Sequence, residues 1–437
     1  MSQQTPPLPP TNDEIIVGLD IGTTKICAIV GRRNEHKKLE ILGVGKADSQ
    51  GVLRGDIVNI DLTISSIKSA IKQAEYNSKV LIREVYVGIA GQHIKSIKSR
   101  GSKIRSGEEL ERSINSDDIH AMVQEMYNIA IAPGEEILHI LPLDFTVDSI
   151  QGIKNPEGMM GNRIEATFHI ILGQTSAIRN IKNCVEKAGI VPKKLILEPL
   201  ASAASVLTEE EKKEGVVLID IGGGTTDIAI FYDDIIRHTH VIPAGGNVIT
   251  EDIRSICKIM ERQAELLKVN HGSALSTENV DDVIITIPGL QGRNPREISQ
   301  LNLAKIIQTR MEEILEVVYS EVINSNFKNN MIGGLVITGG GSKLNHLKQL
   351  ASYTLCMDAT IGVPSVHLNT VNNDTLQHPM YATAVGLVLK GFEDLDARKL
   401  RGEFNEPIKK KAGWGFSILE NIGKLFIDKK NEIDKDE

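Results

Sequence analysis

Two segments of the sequence repeat one pattern of residues suited to holding a phosphate. The pattern occurs in EIIVGLDIGTTKICAIV (14–30) and again in GVVLIDIGGGTTDIAIF (215–231). In each copy an apolar stretch delivers Asp-Ile-Gly to a Thr-Thr pair, and a second apolar stretch follows. Glycine permits a tight turn there, and threonine hydroxyls and exposed backbone N–H groups point into one small space. We therefore predict a phosphate-binding β-hairpin at each position.

The aspartates of the two copies, Asp20 and Asp220, are 200 residues apart. A separation of domain size indicates two related lobes rather than a short-period repeat. With one loop in each lobe, the two carboxylates lie on opposite walls of a shared cleft, where they can hold a hydrated Mg²⁺. The alternative is a pair of ordinary hairpins whose Asp and Thr serve only the turns, and the presence of two matching copies disfavours it.

A third glycine-rich segment follows the apolar stretch Leu335 to Thr338. It consists of Gly339, Gly340, Gly341 and Ser342, and we predict that Ser342 caps a helix starting in KLNHLKQLASYT. Glycines would let the backbone approach a flat ligand, and a helix start favours an anion. A plain strand-to-helix turn remains the alternative. Neither GxxxxGK[ST] nor GxGxxG occurs in the chain, which disfavours P-loop and dinucleotide-binding proteins.

Composition sets the broad class. The 437 residues predict two or more cores, because single domains typically have about 100–150 residues. The net charge of −8 provides no basic field, so we expect no nucleic-acid partner. The four cysteines form no CxxC pair and the eleven histidines form no recognised ligand motif, which favours a reduced cytosolic protein without a structural zinc. We find neither a secretory signal nor the run of about 18 apolar residues that a membrane span needs.

The elements between the loops alternate between β-rich runs and amphipathic helices, which predicts an α/β fold. Two of the helices carry small residues at one-turn spacing. They are EPLASAASVL (198–207), with Ala201, Ala204 and Ser205, and HPMYATAVGLVL (378–389), with Ala382 and Gly386. Small residues let helices cross closely, which suits a pivot between lobes; tight core packing is an equal interpretation.

Taken in order, DIGTTK, EPLASAAS, DIGGGTTD, VITGGGSKL and HPMYATAVGL resemble the motifs of the actin-like ATPase superfamily. The resemblance covers nearly all of residues 14–391. It implies an α/β actin-like ATPase fold, in which two lobes with duplicated ribonuclease H-like cores bind ATP and Mg²⁺ between them. Sugar kinases share this fold, but we find no catalytic base or substrate pocket for one. A chaperone of this fold would need a further domain, and only 46 residues follow Gly391.

The resemblance also assigns roles to individual residues. Those around the phosphates are Gly22, Thr23, Thr24, Lys25, Gly222, Gly223, Gly224, Thr225 and Thr226, with Asp20 and Asp220 on the magnesium side. Those beside the nucleoside are Glu265 and Lys268 of AELLK, with Gly339, Gly340 and Ser342. Glu198 matches a carboxylate that positions water or magnesium. For Glu265 and Lys268 an exposed salt bridge remains the alternative, and for Glu198 a structural cap. We expect hydrolysis to be slow or absent, because a nucleotide-operated clamp needs only differential affinity for its states.

The C-terminal segment 412–428 is predicted to be an amphipathic helix. At about 100° per residue, its large apolar side chains fall in an arc of about 140°. They are Trp414, Ile418, Leu419, Ile422, Leu425 and Phe426. Lysines at 409–411 and 429–430 flank the helix, which suits an anionic membrane surface. Docking on its own protein is the alternative, and the charged linker predicted at 393–411 argues against it.

An actin-like core with such a helix is similar to a family of bacterial division proteins that tether FtsZ filaments to the cytoplasmic membrane. That resemblance implies four partners: the FtsZ C-terminal peptide, other copies of the chain in filaments, later divisome proteins and an anionic membrane surface. It places the protein on the cytoplasmic face of the cell membrane at the division septum, and makes Arg310 and Glu313 of IIQTRMEEI candidate contacts to the FtsZ peptide. A pilus-assembly ATPase of the same fold is the alternative function.

The predicted organisation begins with a tail at 1–13. Lobe 1 comprises 14–87, 174–205 and 371–392, and it is interrupted at 88–173 by a small domain particular to the division family. Lobe 2 comprises 206–249 and 326–370, with a subdomain at 250–325 that would bind the FtsZ peptide. The linker and the membrane helix follow.

Overall fold

The computed structural model describes residues 15–34, 38–278, 281–289, 294–364 and 376–400. The predicted tail at 1–13, the end of the predicted linker and the whole predicted amphipathic helix at 412–428 lie outside these ranges. Among the helices of the described ranges, none combines the length and apolar character needed to cross a bilayer.

Lobe 1 begins with a β-rich segment and one long helix. Its elements are β1 (Ile15–Ile21), β2 (Lys25–Arg33), β3 (Leu39–Asp48), β4 (Val52–Leu53), β5 (Asp56–Ile57), α1 (Ile60–Ser78) and β6 (Glu84–Ile89). The β-branched residues of β1 and β2 are almost all buried, as expected for strands covered on both faces. The helix α1 starts where the Asn59 side chain accepts the Leu62 N–H and ends at Lys79 in the left-handed conformation.

The small domain is a four-stranded antiparallel sheet with one helix on it. Its elements are β7 (Ile94–Ile104), α2 (Ser116–Met126), β8 (Glu135–Val147), β9 (Ile150–Ile153) and β10 (Arg163–Gln174), with strand order β7-β10-β8-β9. The apolar face of α2 packs against β8 and β10 around the fully buried Phe168. The domain therefore has a core of its own.

The chain then completes lobe 1 and enters lobe 2. The elements are α3 (Thr175–Lys187), β11 (Val191–Leu197), α4 (Glu198–Val206), α5 (Glu209–Glu214), β12 (Val216–Ile221), β13 (Thr226–Tyr232), β14 (Ile235–Ile242), α6 (Gly246–Cys257), α7 (Glu261–His271), β15 (Ile284–Ile287), β16 (Arg296–Ser299), α8 (Gln300–Asn324), β17 (Leu335–Thr338), α9 (Leu347–Leu355), β18 (Ala359–Ile361) and α10 (Ala382–Leu400).

The main sheets of the two lobes have the same topology. The strand order is β3-β2-β1-β6-β11 in lobe 1 and β14-β13-β12-β17-β18 in lobe 2. In each sheet the first three strands pair antiparallel, and the remaining two add in parallel. The duplicated core predicted from the repeated sequence pattern is therefore confirmed.

The helices α4 and α10 cross between the lobes at their small residues. A Cβ added to Gly386 of α10 would lie 1.8 Å from the backbone oxygen of Ala201 in α4. The Ser205 hydroxyl of α4 donates to the Ala382 carbonyl of α10 at 2.7 Å. Since α10 packs on the lobe 1 sheet and α4 on the lobe 2 sheet, the crossing joins the two lobes.

Three predicted boundaries are wrong. The small domain cannot start at 88, because β6 continues in the lobe 1 sheet to Ile89. The helix α4, assigned to lobe 1, packs its apolar side chains on lobe 2 strands. The linker cannot start at 393, because α10 is helical to residue 400, and Asp394 is buried, where it accepts hydrogen bonds from Tyr86 and Lys194 at 2.8 and 3.1 Å. The dense charges of that segment are thus partly paired inside the fold.

Candidate functional site

The two predicted hairpin turns have the same hydrogen-bonded geometry. Strand pairing ends at Ile21 with Ile26 in lobe 1 and at Ile221 with Thr226 in lobe 2, so each turn spans four residues. The first N–H of each turn donates to the fourth carbonyl, at 3.1 Å in the turn 22–25 and at 2.9 Å in the turn 222–225. The repeated sequence therefore produces a repeated backbone.

The turns meet across the space between the lobes. A Cβ added to Gly223 would lie 2.2 Å from Cγ2 of Thr24, and one added to Gly224 would lie 2.3 Å from Oγ1 of Thr23. Glycine at these positions is what allows the threonines of lobe 1 to approach the backbone of lobe 2. A phosphate between the turns would be reached from both lobes.

The two predicted magnesium-side carboxylates are buried at the strand ends but are held differently. Asp20 forms an ion pair with Lys25 of its own turn at 2.9 Å. Asp220 accepts hydrogen bonds on Oδ2 from Ser202 of α4 at 2.6 Å and from Thr383 of α10 at 3.2 Å. Because both donors of Asp220 lie on the crossing helices, the carboxylate is linked directly to the contact between the lobes.

A surplus of carboxylates surrounds this point. Asp227 pairs with Asp220 across the second hairpin, and on its Oδ1 no hydrogen-bond donor is found among the described residues. Burial, reinforced by neighbouring carboxylates, raises the pKa of Asp220, Asp227 and Glu198 above the usual range. Burial opposes the charge of Lys25, yet Asp20 and other negative neighbours raise its pKa above the usual value. An oxygen-rich, electron-rich donor set of this kind fits a hard divalent cation such as Mg²⁺.

The third glycine segment lies against the second carboxylate. Gly339 has a φ of +83°, and a Cβ there would lie 2.3 Å from Oδ1 of Asp220. The predicted helix cap at Ser342 is wrong. Ser342 lies within a short 3₁₀ helix (Gly340–Lys343), and the α-helix α9 begins only at Leu347. The Ser342 hydroxyl donates to the Gly339 carbonyl at 2.8 Å instead, which holds the turn.

Glu265 and Lys268 are tied to the start of α6. The Lys268 ammonium donates to the Gly246 carbonyl at 2.9 Å and to Glu265 at 2.7 Å. The N–H groups of Gly246 and Asn247 donate in turn to the carbonyls of residues 222 and 223, at 2.9 and 2.8 Å. The pair is therefore more than an exposed salt bridge: it supports the helix end that braces the second turn.

Glu198 begins α4 beside lobe 1. Its carboxyl lines a small cavity together with Ile21 and Ala90, and a Cβ on Gly88 would lie 3.1 Å from its Cγ. The N–H of the preceding Leu197 donates to Nε2 of His139 in the small domain at 3.1 Å, so the small domain helps to fix this strand-to-helix junction.

Comparison with known proteins decides the family. Residues 217–386 match the family model "Cell division protein FtsA", and residues 91–172 match "SHS2 domain inserted in FTSA". The chain is 39% identical over 382 residues to the cell division protein FtsA of Pseudomonas aeruginosa, covering 87% of this chain and 90% of that one. It is 34% identical over 391 residues to FtsA of Escherichia coli strain K12, covering 88% and 91%. The chain belongs to the FtsA family.

Solved structures of lower sequence identity share the fold of this FtsA-family chain. A PilM–PilN type IV pilus biogenesis complex matches with a TM-score of 0.59 at 17% identity, covering 86% of this chain and 98% of that one. MreB 5 of Spiroplasma citri bound to AMPPNP matches with a TM-score of 0.54 at 15% identity, covering 90% and 100%. These likenesses confirm the actin-like fold. The pilus alternative has a structural likeness only, whereas FtsA relatives support a function in cell division by sequence.

The predicted partner contacts of the FtsA-family chain are engaged within the protein. Arg310 of α8 makes a two-pronged ion pair with Asp252 of α6, with Nε and Nη2 at 2.6 and 3.1 Å from the two carboxylate oxygens, and it also contacts Glu313 at 2.5 Å. The helix α6 starts at Gly246, before the predicted subdomain boundary at 250. Arg310 and Glu313 thus lie on one surface formed by two helices.

The sequence alone did not indicate three residues of the candidate site: Ser202, Thr383 and Asp227. Ser202 and Thr383 lie inside the two small-residue helices, but in the sequence only the one-turn spacing of other small residues in these helices was considered. Asp227 pairs with Asp220 across the second hairpin, at the position that Cys27 occupies opposite Asp20 in the first hairpin. An alignment of the two copies from Asp20 and Asp220 onward shows this difference in the sequence.

Proposed function

We propose that this FtsA-family protein binds ATP with Mg²⁺ between its lobes, polymerises, and tethers FtsZ filaments to the cytoplasmic membrane at the division septum. The observation that carries the nucleotide part is the pair of matched turns in contact across the lobes. Several buried carboxyl groups lie beside these turns, and Lys25 can balance the charge of only one of them. The likeness to MreB 5 structures bound to ADP and to AMPPNP supports the same part, since those proteins share the fold.

Each part of the site has a defined task in this proposal. The turn N–H groups and the hydroxyls of Thr23 and Thr225 bind the phosphates. Asp20 and Asp220 hold Mg²⁺ through water, and the ion offsets the phosphate charge. Glu265, Lys268 and the Gly339–Ser342 turn flank the nucleoside.

Slow or absent hydrolysis is part of this proposal, because a nucleotide-operated clamp needs only differential affinity for its states. Burial and the neighbouring carboxylates raise the pKa of Glu198 in the ligand-free protein. Nucleotide binding acts on the α4–α10 crossing through the two hydroxyls that hold Asp220.

An equilibrium titration with a fluorescent ATP analogue, with and without Mg²⁺, tests nucleotide binding. Asp220→Asn is expected to weaken Mg²⁺-dependent binding by at least about tenfold, since it removes one charge from the cation side. Asp234→Asn, in the β13–β14 turn, is the matched control and should leave binding unchanged. Equal affinities for the two variants contradict the assignment.

The membrane part rests on the sequence of the terminal segment and is tested with the full chain. Sedimentation with vesicles of phosphatidylglycerol and phosphatidylethanolamine should pellet the full chain but not a truncation ending at Lys411. Ile422→Glu in the apolar arc should abolish pelleting, whereas Asn421→Glu on the polar side should reduce it only slightly. Pelleting of the truncation shows that the anchor lies elsewhere.

The FtsZ part is tested by binding of the FtsZ C-terminal peptide to the full chain. Arg310→Ala and Glu313→Ala are expected to weaken peptide binding, and Glu316→Ala, on the same helix, serves as the control. Thermal denaturation of each variant separates a lost contact from a loosened α6–α8 pair, since Arg310 also holds Asp252. Unchanged peptide affinity in a folded Arg310→Ala variant rejects this surface.

A further inference from the structure

A cluster of metal-ligating side chains lies on the edge strand of the lobe 2 sheet, away from the inter-lobe turns. His238 and His240 are two residues apart on β14, so their side chains project from the same face of the strand. Both reach Glu321 of α8: Nε2 of His238 lies 2.8 Å, and Nδ1 of His240 3.5 Å, from the same carboxylate oxygen. One ligand atom from each of the three residues lies within 4.8 Å of the other two.

We propose that His238, His240 and Glu321 form a binding site for a divalent transition-metal ion of the zinc class. Imidazole nitrogen suits zinc, cobalt, nickel and copper, whereas magnesium and calcium prefer all-oxygen sites. Tetrahedral zinc with bonds of about 2.0–2.2 Å places neighbouring ligand atoms about 3.3–3.5 Å apart. The distance of 3.5 Å between His240 Nδ1 and the Glu321 oxygen already fits this spacing. The distance of 2.8 Å between His238 Nε2 and the same oxygen must increase by about half an ångström.

The three side chains are exposed enough for an ion to reach them, and their contacts restrict their conformations. The side chains are 19% exposed for His238, 41% for His240 and 17% for Glu321. The two imidazole rings stack with planes 8° apart, so the ligands are partly preordered.

The position of the cluster gives the ion a structural consequence. Thr239, between the two histidines, faces the opposite side, where its hydroxyl lies 2.9 Å from Nε2 of His169 in the small domain. The Ser96 hydroxyl of β7 also donates to the Thr239 carbonyl at 3.5 Å. The strand β14 is thus held between α8 and the small domain, and an ion joining β14 to α8 stiffens the strand on which the small domain rests.

The competing explanation is a simple hydrogen bond between His238 and Glu321. The two explanations differ at His240: its 3.5 Å contact adds little as a hydrogen bond, but it is the third ligand of a metal site. His240→Ala therefore removes a ligand while it leaves the His238–Glu321 contact in place.

The experiment is a Co²⁺ titration of the full chain, without a polyhistidine tag and after chelator treatment, followed by visible absorption. The thiols of Cys257 and Cys356 are free, so both are replaced by serine in the parent protein to remove thiol ligands. We expect one saturable ion per chain, displaced by Zn²⁺. His240→Ala and Glu321→Gln should lower the affinity by at least about tenfold, because loss of even an outer-shell partner costs that much. His271→Ala, at the end of α7, should not.

Thermal denaturation provides the second readout. Zn²⁺ should raise the melting temperature of the parent protein by mass action, and it should not raise that of His240→Ala. Without metal the two proteins should melt together, which shows that the variant folds. Absence of saturable Co²⁺ binding, or equal binding by His240→Ala, overturns the proposal.

Discussion

The two turns between the lobes share one backbone but differ in how each neutralises its aspartate. In the first turn, Asp20 is paired with Lys25 from the same turn. In the second, Asp220 is held by hydroxyls of the crossing helices, and its strand partner is Asp227. The position equivalent to Asp227 in the first hairpin is Cys27.

This difference assigns the turns separate tasks. In the first turn the charge of Asp20 is paired within the turn itself. The second contains two buried carboxyl groups with no lysine in the turn, and its hydroxyl contacts reach both lobes. We infer that the second turn transmits the state of the site, whereas the first mainly binds.

The largest expected effect comes from Gly339→Ala, which damages the second turn alone. Gly339 has φ +83° and ψ 173°, a region open essentially to glycine, and the new Cβ would lie 2.3 Å from Asp220. The strained backbone costs about 1–3 kcal/mol before the clash is added. We expect loss of nucleotide binding and a lower free energy of unfolding in urea. Gly340→Ala, whose Cβ meets nothing within 4 Å, should behave like the parent protein.

The first turn is tested by Lys25→Met. The substitution leaves Asp20 buried without its partner, since the two side chains are 15% and 7% exposed. Removal of one member of a buried pair costs about 3–5 kcal/mol. We expect a drop of this order in the free energy of unfolding, and partial recovery in Lys25→Met with Asp20→Asn. Simple additivity of the two single effects would show that the turn is not balanced in this way.

A smaller effect is expected for Ser202→Ala, which removes the shorter of the two hydroxyl contacts to Asp220. A hydrogen bond to a charged group contributes about 1.5–3 kcal/mol. The free energy of unfolding should fall by up to about 3 kcal/mol. The dependence of nucleotide affinity on Mg²⁺ should also change, because Asp220 loses a hydrogen-bond donor. Ser205→Ala loses only the hydroxyl bonds to backbone carbonyls of Ser202 and Ala382, so it should lower stability without that change. An identical Mg²⁺ response in both variants rejects the link through Asp220.

The pH dependence of the ligand-free protein reports on the buried carboxyl groups of the second turn and of Glu198. Asp220, Asp227 and Glu198 have raised pKa values when folded. Their contribution to stability is fully present below the unfolded pKa values of about 4 and is lost as pH rises through the folded ones. Each group adds a slope of at most about 1.4 kcal/mol per pH unit. Urea denaturation between pH 4 and 7 without Mg²⁺ should show stability falling with pH, and Asp227→Asn should flatten the slope.

Much of the architecture could be predicted because the duplicated cores share a short sequence pattern that can be recognised locally. An apolar strand, a glycine turn and a threonine pair specify a hairpin wherever they occur, so Asp20 and Asp220 were placed correctly at equivalent strand ends. The errors came where charge patterns were interpreted without their partners. The segment after residue 392 has the composition of a linker, yet the Asp394 carboxylate is buried and accepts hydrogen bonds from Lys194 and Tyr86.

By itself, the sequence determined the two hairpins and the family, because these depend on short patterns of residue type and order. The crossing of the small-residue helices was one of two equal interpretations until the structure showed it. Only the tertiary structure decided which side chains meet. The hydroxyls of Ser202 and Thr383 converge on Asp220 from helices about 180 residues apart in the chain. In the same way, His238 and His240 meet Glu321 from another element. Such convergence is set by packing of distant elements, and no local pattern encodes it.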